Sequence, residues 1–364
     1  MNNPKTITAY LIKEFSNSLF IFISIFLSLI LLMGFIQEII FFKKLTSNIE
    51  VYTLITKLTI FKTPALLIKI SPFIFLFTSV FFYLKILSNN EINTIKLSGL
   101  SNFYLTIVPA VFSFFIGLII ILIISPVSAE LSKYYEIEKN KFSDNENLIV
   151  MSNTGMWLKE QKEDGIYIIR TDKIYDQNFE KVNNVTVYKF NKSNHYLERI
   201  DGNIATIKNS NEWYIQNAKK HNANSTTKID YYKYFSQINL DNIKKMFNNS
   251  DVLSLWNILD EINKLRKIGY YGQELIITFN KYLSLPFMLF AMSCFSTIFT
   301  LRASFKLNYF TYTFLCILIG IILYFLNDLS IAFARSGKIP LILSVWLPVI
   351  IIMTISSYSL LRKE

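Results

Sequence analysis

Long runs of apolar residues alternate with short polar segments along most of the chain. Five of these runs carry no charge, and each reaches or exceeds the roughly 20 residues that cross ~30 Å of hydrocarbon as an α-helix. A sixth run is interrupted by Lys69 and Pro72, so a helix there requires support from its neighbours. The six runs are 15–36, 63–84, 103–126, 282–301, 307–326 and 339–361. This pattern predicts a membrane α-helical protein with six transmembrane helices.

The segment 131–267 has a different pattern, because it contains no apolar run of membrane length. Stretches rich in β-branched and aromatic residues, at 165–170, 185–190 and 212–216, are separated by Asn, Ser, Asp and Gly. We expect them to form an inserted antiparallel β-sandwich, similar to a β-jellyroll. From Leu255 to Leu265, apolar residues recur at three- and four-residue spacing, which predicts an amphipathic helix.

These patterns divide the chain into four parts. Residues 1–126 hold transmembrane helices 1–3 with a loop at 85–102, residues 127–253 hold the β domain, residues 254–271 form the amphipathic linker helix, and residues 272–364 hold transmembrane helices 4–6. The first run is too long for a signal peptide and is expected to be retained. With three spans on either side, the β domain should face away from the amino terminus. Lys and Arg are shared almost evenly between the two faces, so they do not decide the orientation.

Composition adds a bias towards positive charge but no sign of catalysis. The chain is 52% hydrophobic, with a formal net charge of +11. It contains no Gly-x-x-x-x-Gly-Lys-Ser/Thr loop, and the nearest match, at 336–338, lacks the upstream glycine. His195 and His221 have no cluster of Cys or carboxylates nearby in sequence, while Cys294 and Cys316 fall within predicted membrane helices. We therefore expect no enzyme activity, no cofactor or metal site, and no nucleic-acid partner.

The polar segment between the second and third runs carries the most specific pattern. Ile92 and Ile95, with Leu97 as a further candidate, give it an apolar face, Glu91 lies near its start, and Gly99 provides a stop signal for a short amphipathic helix. Such a helix could dock in a groove of a soluble partner, or it could simply connect two spans at the membrane surface. The pattern alone does not choose between these roles.

This segment resembles the loop between spans two and three of the lipopolysaccharide export permeases, the LptF/LptG family. In that family the loop reads Ser/Arg-Glu-hydrophobic, then a basic or polar residue, then Ala/Ser-Gly-hydrophobic-Ser. Here it reads Asn90-Glu91-Ile92 and then Lys96-Leu97-Ser98-Gly99-Leu100-Ser101. The match departs at Asn90 and at Leu97, where the family more often has a small residue.

The resemblance extends over nearly the whole chain. Further family-like motifs are found at 125–126, 154–157 and 187–191. The carboxy-terminal half is more similar to LptG than to LptF, through motifs at 255–256, 265–269, 285–286, 346–348 and 361–363.

The resemblance implies the permease subunit of an ABC transporter in the inner membrane of a Gram-negative bacterium. Such a subunit extracts lipopolysaccharide and passes it to a periplasmic bridge, while a separate protein hydrolyses ATP. The implied partners are an LptB-type ATPase dimer, an LptF-type permease that completes a heterodimer, and LptC/LptA-type bridge proteins. The β domain would then lie in the periplasm.

The resemblance also implies two groups of site residues. The ATPase-coupling group is Glu91, Ile92, Ile95, Lys96 and Gly99. The group expected to contact the lipid phosphates is Lys62, Lys69 and Lys133, because ammonium groups pair with phosphate in partly dry sites.

Three alternatives remain open from the sequence. The chain could be the LptF-type subunit of the same exporter, or a permease of the lipoprotein-releasing or macrolide type, which usually has four spans. It could also be a structural or receptor protein without an ATPase partner. Topology separates the four-span alternative from the others, and co-purification of an ATPase separates the non-transporting one.

Overall fold

A computed structural model describes most of the chain. The described residues are 4–43, 49–89, 91–97, 99–142, 148–152, 155–162, 164–174, 181–192, 195–208, 211–222, 225–237, 252–267, 272–300 and 309–361. Several positions noted in the sequence, among them Asn90, Ser98, Gly269 and the basic loop 302–306, lie outside these ranges. The chain divides into two compact units, one holding residues 1–136, 251–255 and 276–364, and the other holding residues 137–250 and 256–275.

Nine α-helices and one π-helical turn lie within the described residues. The helices are α1 (Pro4–Phe41), α2 (Ile49–Ser88), α3 (Glu91–Leu97), α4 (Asn102–Ile119), α5 (Ser125–Asn140), α6 (Leu255–Lys267), α7 (Gln273–Thr300), α8 (Tyr309–Arg335) and α9 (Leu341–Leu361). The π-helical turn, Ile120–Ile124, joins α4 to α5.

Six helical segments are long and apolar enough to cross a membrane, which confirms the predicted multi-pass architecture. They are α1, α2, the continuous α4–α5 segment, α7, α8 and α9. The segment in doubt, with Lys69 and Pro72, is the middle of one uninterrupted helix, α2. Six spans do not fit the four-span alternative.

The first three spanning helices are longer than the bilayer requires. α1 and α2 contain 38 and 40 residues. At 1.5 Å per residue they are roughly 57 to 60 Å long, about twice the hydrocarbon thickness. The third apolar run of the sequence ends at residue 126, whereas the helix that contains it is longer. The π-helical turn accommodates the proline, with the Ser125 N–H donating to the Ile120 carbonyl, and the helix continues to Asn140.

Aromatic residues fill the core of the membrane unit near the start of α1. The ring of Phe15 lies edge-on to Phe82, with centroids 5.4 Å apart, and to Phe112, with centroids 6.0 Å apart. On its outer side α1 exposes Phe20, Leu32 and other apolar residues, which suits contact with lipid.

A chain of buried hydroxyl groups joins α2, α4 and α7. Ser79 donates to Ser293 at 3.1 Å, and the hydroxyls of Ser293 and Ser113 are 2.7 Å apart. One turn beyond Ser113, a Cβ placed on Gly117 would lie only 2.7 Å from Cα of Pro286. Small residues therefore allow α4 and α7 to approach closely, as is typical of packed membrane helices.

The second unit contains one antiparallel sheet of eight strands. The strands are β1 (Leu148–Ser152), β2 (Gly155–Lys162), β3 (Gly165–Thr171), β4 (Lys173–Ile174), β5 (Lys181–Phe190), β6 (Tyr196–Lys208), β7 (Glu212–Asn222) and β8 (Ser225–Phe235). Buried and less buried residues alternate regularly along β3, as the sequence pattern predicted. The expected inserted antiparallel β domain is therefore confirmed.

The pairing order among the described strands is that of a meander. Each strand pairs with the next along the chain, except that β3 pairs with β5 and the short β4 pairs only with β5. A jellyroll has crossed-over neighbours instead, and these described strands do not show that order. The sheet nevertheless folds over, because side chains of β2 and β3 meet those of β8, as in the two layers of a sandwich.

Glu160 of β2 makes the principal contact between these two parts of the sheet. Its carboxylate has no solvent exposure and accepts hydrogen bonds from the Tyr234 hydroxyl at 2.7 Å and the Gln237 N–H at 3.2 Å, and a further one from the Ser236 hydroxyl. Burial, reinforced by the charge of Glu160, raises the pKa of Tyr234. Lys162 lies 3.9 Å from the same carboxylate and 4.0 Å from the Tyr234 ring centroid, and burial lowers its pKa.

Candidate functional site

The short helix α3 is fixed to the membrane unit through its apolar face. Ile92 and Ile95 are 5% and 7% exposed, and they belong to the core cluster that also contains Leu11, Phe82 and Leu105. This is the face that the sequence predicted to be apolar. The same cluster holds residues of α1, α2 and α4, so α3 shares one apolar core with these helices.

Glu91 attaches the start of α3 to α1. Its Oε2 accepts a hydrogen bond from the Tyr10 hydroxyl at 2.8 Å, and its Oε1 accepts one from the Asn89 side chain at 3.0 Å. A second polar contact lies nearby, where Lys85 at the end of α2 forms an ion pair with Glu14 of α1 at 2.6 Å. Glu91 therefore has a structural role in addition to any contact with a partner.

The end of α3 projects outward. Leu97 is 88% exposed, the largest exposed fraction among the large apolar side chains described. Gly99 follows with φ of +86° and no atom within 4 Å of a Cβ placed there, so it turns the chain out of the helix in open space. Lys96 belongs to the last turn of α3. At the start of α4, Ser101 accepts a hydrogen bond from the Tyr104 N–H at 3.3 Å and caps that helix.

These contacts give α3 a buried apolar base and one protruding apolar side chain. The sequence identified Glu91, Ile92, Ile95 and Gly99, but it gave no reason to select Tyr10. Tyr10 is 81 residues from Glu91 in sequence, so only the packing of α1 on α3 brings them together. Leu97 was a candidate for the apolar face of this helix, but the structure leaves it exposed.

The three lysines expected to meet lipid phosphates differ in their surroundings. Lys69 and Lys133 are exposed, whereas Lys62 is half-buried, with its Nζ 5.5 Å from the ring centroid of Tyr135. Lys62 and Lys69 are seven residues apart on α2 and therefore lie on the same side of that helix. Residues two apart on a helix point about 200° apart, so Lys133 faces away from the side of α5 on which Tyr135 meets Lys62.

A buried carboxylate completes the surroundings of Lys62. Glu38, near the end of α1, is 1% exposed and accepts a hydrogen bond from the Tyr135 hydroxyl at 2.7 Å. The sequence gives no signal for this arrangement, because Glu38 lies just after the first apolar run and Tyr135 falls in the segment predicted to hold the β domain.

The described residues contain no group of three or more His, Cys, Asp or Glu side chains suited to hold a metal ion. Of the two histidines, His221 contacts Asp201 at 3.4 Å and the Thr226 hydroxyl at 3.0 Å, an ordinary surface arrangement between neighbouring strands.

Comparison with known proteins gives one informative result. A protein family described as "Lipopolysaccharide export system permease LptF/LptG" matches residues 9–362. A separate comparison with curated proteins returns no match.

Proposed function

Because the chain belongs to the LptF/LptG family of lipopolysaccharide export permeases, we propose that it is the LptG-type subunit of an ABC transporter. In this proposal it extracts lipopolysaccharide from the inner membrane and passes it to an LptC/LptA-type periplasmic bridge. An LptB-type ATPase dimer supplies the energy, and an LptF-type chain forms the other half of the permease. The choice of LptG over LptF is supported by the motifs of the carboxy-terminal half.

The observation that carries the coupling role is the geometry of α3. Its buried isoleucines belong to the apolar core shared by α1, α2 and α4, and the Tyr10–Glu91 hydrogen bond joins it to α1, while Leu97 remains exposed. A force applied to such a helix is transmitted to the spans rather than absorbed by a flexible loop. We therefore assign the ATPase contact to the exposed end of α3, on the cytoplasmic side, with Leu97 as its apolar anchor.

The parts of these spans that lie away from α3 are assigned to the lipid. Lys62 and Lys69 lie on one side of α2, and Lys133 is exposed on α5, so ammonium groups are available to the phosphates of lipopolysaccharide. The β domain is placed in the periplasm, on the side from which the lipid leaves. Mass spectrometry of the tagged chain, purified gently from its native membrane, tests this assembly. An ATPase, a second six-span chain and lipopolysaccharide should be recovered together, and a lone chain with ordinary phospholipid would contradict the proposal.

A substitution at Leu97 tests the docking role directly. Burying a fully exposed leucine contributes roughly 2 kcal/mol, so Leu97→Asp should weaken ATPase association about 30-fold. Leu97→Met should have little effect, because it keeps an apolar side chain of similar volume. Glu91→Lys should also weaken association, but it removes the hydrogen bond from Tyr10 and is therefore the less selective variant.

The charge-reversing control is Lys338→Glu, in the exposed turn between α8 and α9. Pull-down of the ATPase from detergent-solubilised membranes at several ATPase concentrations gives the apparent affinity. If the Leu97→Asp and Lys338→Glu variants recover equal amounts of the ATPase, α3 is not part of the interface.

A further inference from the structure

Tyr135 occupies a position between two opposite charges. Its hydroxyl donates to the carboxylate of Glu38 at 2.7 Å, and its ring faces the ammonium of Lys62 at 5.5 Å. A buried carboxylate is costly unless it is hydrogen-bonded, so the Glu38 contact holds the Tyr135 hydroxyl strongly. An ammonium within about 6 Å of an aromatic ring is attracted to its face. One side chain therefore links α1, α2 and α5.

The packing around Tyr135 limits its movement. It lies against an apolar cluster built from buried Phe42, directly after α1, and Ile55 and Leu58 of α2. At the same level, a Cβ placed on Gly34 would lie 3.0 Å from Cγ2 of Thr59, so α1 and α2 are already in close contact. The ring of Tyr135 is therefore held at its hydroxyl end by Glu38 and along its length by the cluster.

This arrangement prepares Lys62 for an anion. A lysine whose ammonium lies over an aromatic face can still donate its N–H groups to a ligand. The ring attracts the positive charge but accepts no conventional hydrogen bond from it. Its side chain has also lost part of its rotamer freedom before any ligand arrives, which reduces the entropic cost of binding. Lys69 and Lys133 are exposed along the helices, whereas Lys62 is half-buried.

We propose that Tyr135 is a positioning residue, held by Glu38, that orients Lys62 towards a phosphate group of the exported lipid. This inference rests on the proposed function, because it takes lipopolysaccharide as the ligand. It adds two residues to the lipid site, one of them a buried acid that contacts no ligand and acts through the tyrosine.

The test is a double-mutant cycle on lipid affinity, measured with the complete exporter in nanodiscs and labelled lipopolysaccharide. Lys62→Met should weaken binding about tenfold, and Tyr135→Leu about fivefold. In the Lys62→Met background, Tyr135→Leu should add less than a twofold change, because its effect passes through the lysine. Dephosphorylated lipopolysaccharide should bind all variants alike.

Two further variants separate positioning from folding. Tyr135→Phe keeps the ring but leaves Glu38 buried without this donor, so it can fail to fold. The double variant Glu38→Met with Tyr135→Phe removes both polar groups together, which is tolerated better, and should lose no more than about threefold in affinity.

The outcomes are distinct. Equal effects of Tyr135→Leu with and without Lys62 would show a purely structural role and overturn the proposal. Unchanged lipopolysaccharide affinity in the Lys62→Met variant would also overturn the proposal. If the wild-type exporter does not bind lipopolysaccharide at all, the proposed function itself fails.

Discussion

Replacing Glu160 should weaken the contact between β2 and β8, which holds the two parts of the β sheet against each other. Its carboxylate accepts hydrogen bonds from Tyr234, Ser236 and Gln237 and has no solvent exposure. Glu160→Ala leaves these three donors without their acceptor, and each buried orphan costs about 1 to 3 kcal/mol. Because some of the donors will reach water after relaxation, we expect a total loss of about 3 to 5 kcal/mol. Glu160→Gln retains an acceptor oxygen and should lose about half as much.

Hydrogen exchange of the full chain in nanodiscs measures this effect locally. A loss of 3 kcal/mol corresponds to amide exchange about 150 times faster in β8 and in the facing part of β2. Exchange in β5 and β6 should change much less, since the hydrogen bonds of Glu160 join β2 to β8 and the residues just after it. The control is Asp230→Ala, which removes an exposed carboxylate from β8 itself. If Glu160→Ala accelerates exchange in β8 no more than Asp230→Ala does, Glu160 does not hold the sheet together.

Two other predictions concern packing and charge. Gly117→Ala should lower the free energy of unfolding of the detergent-solubilised chain by about 1 to 3 kcal/mol, because the added Cβ would lie 2.7 Å from the backbone of Pro286. The control is Gly320→Ala, which should be nearly neutral because its Cβ would meet only side chains, at 3.3 Å or more. Asp164→Asn should cost less than about 1 kcal/mol at neutral pH, since the hydrogen bond from Lys189 lowers the pKa of an exposed carboxyl. Because the pKa of Asp164 is lowered in the folded state, its charge stabilises the fold above pH 3.8, and this contribution is lost as the pH falls below that value. The unfolding midpoints of Asp164→Asn and wild type should therefore converge in acid. A difference that persists there would show that the ion pair with Lys189 is not its cause.

The six spans could be predicted because charge-free length is a direct consequence of bilayer thickness. The continuation of the third helix past Pro126 could not be predicted, because a proline usually stops a helix and the π-helical turn that accommodates it depends on backbone geometry. The strands were recognisable from their β-branched and aromatic residues, but their pairing order was not. Alternation indicates which face is buried and says nothing about which strand is adjacent.

In the candidate sites, too, some features could be predicted from the sequence and others could not. The apolar face of α3 was visible as spacing within one short segment. Tyr10 with Glu91, and Tyr135 with Glu38, are pairs separated by 81 and 97 residues, and no local pattern connects them. The roles of the coupling residues and of the three lysines remain predictions, as do the partners and the orientation in the membrane.

The length of α2 has a mechanical consequence. Ser88, beside α3, and Lys62 belong to the same helix and are about 39 Å apart along its axis. Such a helix is a lever arm, and a tilt of about 5° applied at the α3 end displaces the level of Lys62 by about 3 Å. Pro64 and Pro72 lie between the two points, and each removes one backbone hydrogen bond, so the arm has two places where it bends more easily. A displacement of this size equals the length of one hydrogen bond, which is enough to make or break a lysine–phosphate contact without any change in secondary structure.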